Sequence, residues 1–190
     1  CCLLSFATSP LAVAQDFGRE QILTTNATLA STAVAADLDG DGDQDILSAA
    51  RGNGGVVEWF ENQGNGLLGA PQIIPASPAT YTALAVDLDG DLDLDVLMAN
   101  GPYSRIEWAE NLMDGTGIVT WAPQQILVGG QAYPTSAHND FIDQDGVLDL
   151  VFTTWNDGSL WWCRGLGTGS GNPTFDTPKL VHSGIPASIR

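Results

Sequence analysis

An acidic nonapeptide recurs in this chain at intervals of 50 and 54 residues, and any fold open to the sequence must place it three times in equivalent surroundings. It reads Asp37-Leu38-Asp39-Gly40-Asp41-Gly42-Asp43-Gln44-Asp45, then Asp87-Leu88-Asp89-Gly90-Asp91-Leu92-Asp93-Leu94-Asp95, then, worn down, Phe141-Ile142-Asp143-Gln144-Asp145-Gly146-Val147-Leu148-Asp149. Each fits, fully or in part, D-x-D-x-D-G-x-x-D. Carboxylates at positions 1, 3, 5 and 9, with the position 7 carbonyl, offer hard oxygens suited to Ca²⁺ at about 2.3–2.6 Å. Without a cation such loops repel themselves. The candidate metal ligands are Asp37, Asp39, Asp41, Asp43 and Asp45 in loop 1, Asp87, Asp89, Asp91, Asp93 and Asp95 in loop 2, and Asp143, Asp145 and Asp149 in loop 3.

The three loops are not equal. Loop 1 has every ligand and Gly42 at position 6, where a sharp turn favours glycine. Loop 2 places Leu92 there, and loop 3 has Phe141 at position 1, with Asp140 one residue early as the candidate substitute. Two Ca²⁺ sites and a degenerate third are therefore expected. An EF-hand would need Glu at position 12, which is Ser48, Met98 and Phe152 here.

Charge supports this metal demand. Six basic residues stand against 23 acidic ones, a net charge of −17, and 14 of the 23 fall within 37–45, 87–95 and 140–149. With no basic patch to neutralise phosphates, nucleic acid is not an expected partner. A hydrophobic content of 44% with six Trp and six Phe argues for a folded core rather than disorder. The uncharged stretch 1–14, ending Ala12-Val13-Ala14, reads as a signal-peptide remnant cleaved after Ala14, so a secreted, extracellular protein is expected. No other stretch reaches the 18 or so apolar residues of a membrane span. Removing that segment leaves Cys163 alone, so stapling would come from metal and not from an internal disulfide.

Other positions fall into register with the loops. Each is followed by an apolar run (Ile46-Leu47, Val96-Leu97, Leu150-Val151), then by Val57-Glu58-Trp59-Phe60-Glu61-Asn62, Ile106-Glu107-Trp108-Ala109-Glu110-Asn111 or Leu160-Trp161-Trp162-Cys163-Arg164-Gly165. A further motif closes each unit, seen as Gln21-Ile22-Leu23, Gln72-Ile73-Ile74, Gln125-Ile126-Leu127 and Lys179-Leu180-Val181. Short runs rich in Val, Ile, Leu and Trp between Gly, Asn, Pro and Asp clusters are strands and turns, and the chain reads as all-β. Four strands per 50 or so residues is the period of a β-propeller blade. In the first unit these are strand A (Thr32 to Ala36), B (Asp45 to Ala49), C (Val56 to Asn62) and D (Pro71 to Ile74), the acidic loop joining A to B. The expected units after 1–14 are 17–66, 67–120, 121–174 and a partial 175–190, three full blades and the start of a fourth in an incomplete propeller. By the spacing of earlier units, a further acidic loop is expected 13 or 14 residues beyond Val181.

These residues resemble the FG-GAP or VCBS-type repeats of integrin alpha-subunit propellers and many secreted microbial proteins. Phe17-Gly18 matches the name-giving pair, and the acidic loops match the family's calcium motif between strands A and B. The resemblance covers 16–190 and implies a Ca²⁺-stabilised propeller outside the cell, with metal loops on one face and ligands often on the other.

Trp59, Trp108 and Trp162 share one repeat position and are expected to pack between blades. Cys163, in the place of Phe60 and Ala109, reads as a small buried hydrophobe. Tyr103, Arg105, Trp155 and Asn156 lie in or beside B-to-C turns, on the face opposite the metals, and are the candidate ligand-face residues. Serine-hydrolase, zinc and phosphate-loop signatures are absent, and His138 and His182 hold no equivalent positions. The expected function is adhesion to, or recognition of, an extracellular protein or glycan, with Ca²⁺ structural. The alternative is a carbohydrate-active enzyme, a polysaccharide lyase or hydrolase, on the same scaffold.

Overall fold

The computed structural model describes residues 22–25, 27–52, 54–113, 115–167 and 171–183. The signal-peptide remnant 1–14, Phe17-Gly18 and Gln21 lie outside them. The strands are β1 (Ala30–Ala36), β2 (Asp45–Ala50), β3 (Val57–Phe60), β4 (Gln72–Ile74), β5 (Thr82–Val86), β6 (Asp95–Asn100), β7 (Arg105–Ala109), β8 (Gln125–Gly129), β9 (Pro134–Asp140), β10 (Asp149–Thr154), β11 (Leu160–Cys163), β12 (Gly165–Gly167), β13 (Thr174–Phe175) and β14 (Lys179–His182). Among the described residues there is no helix. Three four-stranded antiparallel sheets result, in the orders β1-β2-β3-β4, β5-β6-β7-β8 and β9-β10-β11-β14, with β12 and β13 a separate hairpin.

The acidic loops join the first strand of each sheet to the second, as the sequence implies. The frame of the units differs. The stretch 175–190, expected to open a fourth unit, supplies β14, which pairs with β11 and completes the third sheet. The motif at 72–74 pairs onto β3 as expected of strand D, and the sheets span 30–74, 82–129 and 134–182, so that only the unit bounds 17–66, 67–120 and 121–174 are offset from them.

The sheets stack face to face in chain order. One core cluster joins Leu47, Val57, Trp59 and Ile74 of the first sheet to Ala83, Val96, Met98 and Ala109 of the second. The next joins Leu97, Ile106 and Trp108 of the second to Ala137, Leu150, Phe152 and Cys163 of the third. Because the middle sheet is covered on both sides, β6 reads as a continuous apolar run and is buried along its whole length. Hydroxyls stitch the first strands together: Thr32 Oγ1 donates to Tyr81 O (3.0 Å) and Thr82 Oγ1 to Thr135 O (2.8 Å).

The three tryptophans pair with Leu47, Leu97 and Val151 in one register. Trp59 and Trp108 are 2% and 1% exposed within the inter-sheet clusters. Trp162 is half-buried, with Lys179 Nζ 5.3 Å from its ring centroid. Its neighbour Trp161 points the other way and stacks on Phe152, centroids 6.4 Å apart and planes 10° apart. Cys163 is fully buried, and that burial pushes its thiol up to about 12. Replacing Trp108 by Ala removes a side chain from a closed layer, and a loss of about 3–5 kcal/mol is expected. Trp162→Ala loses less than half as much, an ordering that urea melts of the two variants check.

Candidate metal centre

Each acidic loop is wound by its own carboxylates. The position 3 side chain accepts from the position 5 amide in all three (Asp39 from Asp41 N, 3.2 Å; Asp89 from Asp91 N, 3.2 Å; Asp143 from Asp145 N, 3.1 Å). Position 5 accepts from position 7 in the same way (Asp41 from Asp43 N, 2.8 Å; Asp91 from Asp93 N, 2.9 Å; Asp145 from Val147 N, 2.9 Å). Short acidic side chains do this readily, which is why they favour turns over ladders. The winding needs left-handed backbone at positions 4 and 6. Gly40, Gly90 and Gln144 hold the first at φ 72°, 85° and 62°, and Gly42, Leu92 and Gly146 the second at 94°, 81° and 85°.

The position 9 aspartate has a different task. Asp45, Asp95 and Asp149 are fully buried. One oxygen of each accepts from the loop (Leu38 N, 3.0 Å; Leu88 N, 3.0 Å; Ile142 N, 3.1 Å). The other accepts from the second residue after the third strand (Asn62 N, 2.8 Å; Asn111 N, 2.9 Å; Gly165 N, 2.8 Å).

Two carboxylate groups converge. Asp37, Asp39 and Asp41 each present an oxygen within 4.8 Å of the others, as do Asp87, Asp89 and Asp95. Asp43, Asp45, Asp91 and Asp93 lie outside these groups. Burial, with repulsion from Asp91, pushes Asp89 up to about 6. Burial also lifts Asp95 to about 7, although its two amide donors pull the other way. Asp39 and Asp45 are raised for the same first reason. Asp37 Oδ1 is buried and has no hydrogen-bond partner. Clustered carboxylates held at a cost in their charged form, one with an orphaned oxygen, are a donor set that fits a hard divalent cation.

Loop 3 is arranged differently. Phe141 supplies no carboxylate at position 1, and Asp140, the candidate substitute, accepts from Phe141 N (2.8 Å) at the end of β9. The cationic partner comes from the chain: Arg164 Nε lies 2.6 Å from Asp143 Oδ2 and Arg164 Nη2 2.6 Å from Asp145 Oδ2. Arg164 occupies the repeat position of Glu61 and Glu110. Sequence reading passed over this residue, although the reversal of charge at one repeat position was a visible signal. The Val147 amide, with Arg164 adding to it, holds the Asp145 carboxyl below the usual range.

At the opposite end of the strands, Tyr103 and Trp155 are 51% and 58% exposed, and Asn156 is exposed beside them. Arg105 is engaged inward, pairing with buried Glu107 and donating from Nη2 to Ser77 Oγ (2.5 Å), while its guanidinium carbon sits 5.0 Å from the Tyr103 ring centroid. Three further residues join this end: Arg51 lies 5.0 Å from the Tyr81 ring centroid, and the Tyr81 and Tyr133 hydroxyls are 3.0 Å apart. Tyr81 and Tyr133 precede the first strands of their sheets, where linker sequence alone gave no sign that they meet.

Residues 37–98 match the family model of the FG-GAP-like repeat. That stretch, from the first aspartate of loop 1 into β6, is similar to an FG-GAP-like repeat. No curated protein matches the chain.

Leu92 is 88% exposed and has positive φ, so its side chain contributes no packing while its backbone is strained. Leu92→Gly is expected to stabilise the protein by roughly 1 kcal/mol, read from the shift in its urea midpoint.

Proposed function

We propose that this chain is a secreted, Ca²⁺-stabilised module of propeller blades that recognises an extracellular protein or glycan. The observation that carries the metal part is the convergence of Asp37, Asp39 and Asp41, and of Asp87, Asp89 and Asp95, on loops wound for oxygen donors. Ca²⁺ there offsets the burial, and the lesser mutual repulsion, that raise Asp89 and Asp95. Its role is structural, fixing the hairpin between the first two strands of a blade. The FG-GAP-like match and the stacking of four-stranded sheets support the blade reading. The exposed aromatic residues at the other end, Tyr103 and Trp155 with Asn156, support recognition there. Aromatic rings beside polar groups suit both protein and glycan surfaces.

Thermal melts should show a higher midpoint in Ca²⁺ than in chelator and a smaller gain in Mg²⁺, which accepts flexible oxygen cages poorly. An identical midpoint in Ca²⁺ and chelator overturns the metal reading. Calorimetric titration should count two ions per chain. Asp41→Ala or Asp89→Ala should each remove one, whereas Asp145→Ala should leave the count unchanged because Arg164 already pairs with that carboxylate.

The pH dependence follows from the raised carboxylates. A carboxyl whose folded pKa exceeds its unfolded value favours the fold when protonated and opposes it once ionised. In chelator, stability should therefore fall as pH rises from the ordinary carboxylate value of 3.8 through about 6 for Asp89 and about 7 for Asp95. Ca²⁺ binds the ionised form, so its stabilising effect should be larger above that window than below it. Melts across pH with and without Ca²⁺ check both slopes. For the recognition end, the Tyr103→Ala, Trp155→Ala double variant should lose binding on a panel of extracellular proteins and glycans while its melting midpoint stays at the parent value.

A further inference from the structure

The repeats act as internal controls for one another. The segment leaving β7 (110–122) and the one leaving β11 (164–176) have the same length and the same closure: Ala122 N donates to Glu110 O (2.9 Å) and Asp176 N to Arg164 O (2.8 Å). Asn111 bridges Trp121 as Gly165 pairs with Phe175. The two segments can therefore be compared residue by residue.

In the earlier segment, bulky side chains fill the junction with the preceding acidic loop. A Cβ on Gly40 would meet Met113 Cε at 3.3 Å. Val119 and Trp121 pack on the cluster that contains Leu38, and Asn111 Nδ2 donates to Leu38 O (3.0 Å). In the later segment the counterparts of Met113, Trp121 and Asn111 are Gly167, Phe175 and Gly165. A Cβ on Gly90, the counterpart of Gly40, would meet nothing within 4 Å. A Cβ on Gly165 would lie 2.1 Å from Leu148 O, so the side chain that reaches back in the earlier repeat has no room here. What remains between loops 2 and 3 is a cavity of about 300 Å³. Its lining is mixed in chemistry: Phe141, Val147 and Leu148 from loop 3 with Phe175 from the hairpin after β11, and Asp87, Leu88 and Asp89 from loop 2. Phe141 stands where a loop carboxylate belongs, so the residue missing from the third acidic loop is an apolar wall of this space.

We propose that this cavity binds a single neutral pyranose ring, its C–H face against Phe141 and Phe175 and its hydroxyls donating to Asp87 and Asp89. The volume is at the small end of ligand sites, suited to one ring rather than an extended chain. An anionic ligand meets two carboxylates, and a cationic one competes with the loop 2 ion for them. A neutral polyol satisfies both kinds of lining. The site lies at the opposite end of the strands from Tyr103 and Trp155, so it is separate from the recognition end. It shares Asp87 and Asp89 with the metal reading.

The test titrates the full Ca²⁺-loaded chain with methyl pyranosides of gluco, manno, galacto and fuco configuration, followed by saturation-transfer NMR. Phe175→Trp restores the bulk found in the earlier repeat, and Phe141→Asp restores the carboxylate and removes the wall. The expected result is saturable binding of at least one pyranoside, weakened about tenfold or more in each variant that retains the parent melting midpoint in Ca²⁺. Absence of saturable binding to all four sugars, or undiminished binding in the variants, overturns the proposal. Melts in Ca²⁺ and chelator run alongside: pyranoside binding without any Ca²⁺ stabilisation sinks the metal reading and leaves the sugar site standing.

Discussion

The buried aspartate at the ninth loop position is the contact on which the rest of the structure depends. Asp45, Asp95 and Asp149 each bind an amide of their own acidic loop with one oxygen and an amide beyond the third strand with the other. One carboxylate thus fixes where the loop sits over its sheet and where the segment after the third strand sets out. Charge-assisted bonds of this kind are stronger than neutral ones, and removing the carboxylate would orphan two buried amides. Everything at this end of the molecule, converging carboxylates and cavity alike, is placed from that anchor.

Given one scaffold repeated, the differences between copies carry the information. Among the described residues no basic side chain pairs with the carboxylates of loops 1 and 2, whereas loop 3 receives the Arg164 guanidinium. In loop 3 a tethered cation answers the repulsion among the carboxylates. It needs no ligand at position 1, which leaves Phe141 available to face the neighbouring loop. The segment after β11 correspondingly carries Gly167, Phe175 and Gly165 where the one after β7 has Met113, Trp121 and Asn111. Several substitutions at separate points of the chain therefore converge on one space.

The two ends of the strands differ in electrostatic character. One carries most of the acidic residues, and the other gathers Arg51, Tyr81, Tyr133, Tyr103 and Trp155. Antiparallel sheets stacked in chain order impose this separation, since the loops from first to second strand and the turns from second to third emerge at opposite ends.

The sequence by itself determined the period, the strand content and the composition of the loops, because these are local: alternating apolar runs, turn residues and carboxylate spacing act within a few residues. The burial of Trp59 and Trp108 was legible for the same reason, as was the left-handed turn that Leu92 must adopt. The hairpin of β12 and β13, across which β14 joins β11, was not, since spacing does not reveal it. Nor could the sequence show that Asp43 and Asp93 stand apart from the converging groups. That Arg164 reaches loop 3, that Arg105 turns inward to Glu107, and that Tyr81 meets Tyr133 were decided by the tertiary structure alone. Arg164 meets loop 3 because the strands of one sheet pair, Arg105 and Glu107 share a face of β7 that Ser77 closes from the linker before β5, and Tyr81 meets Tyr133 because successive sheets stack.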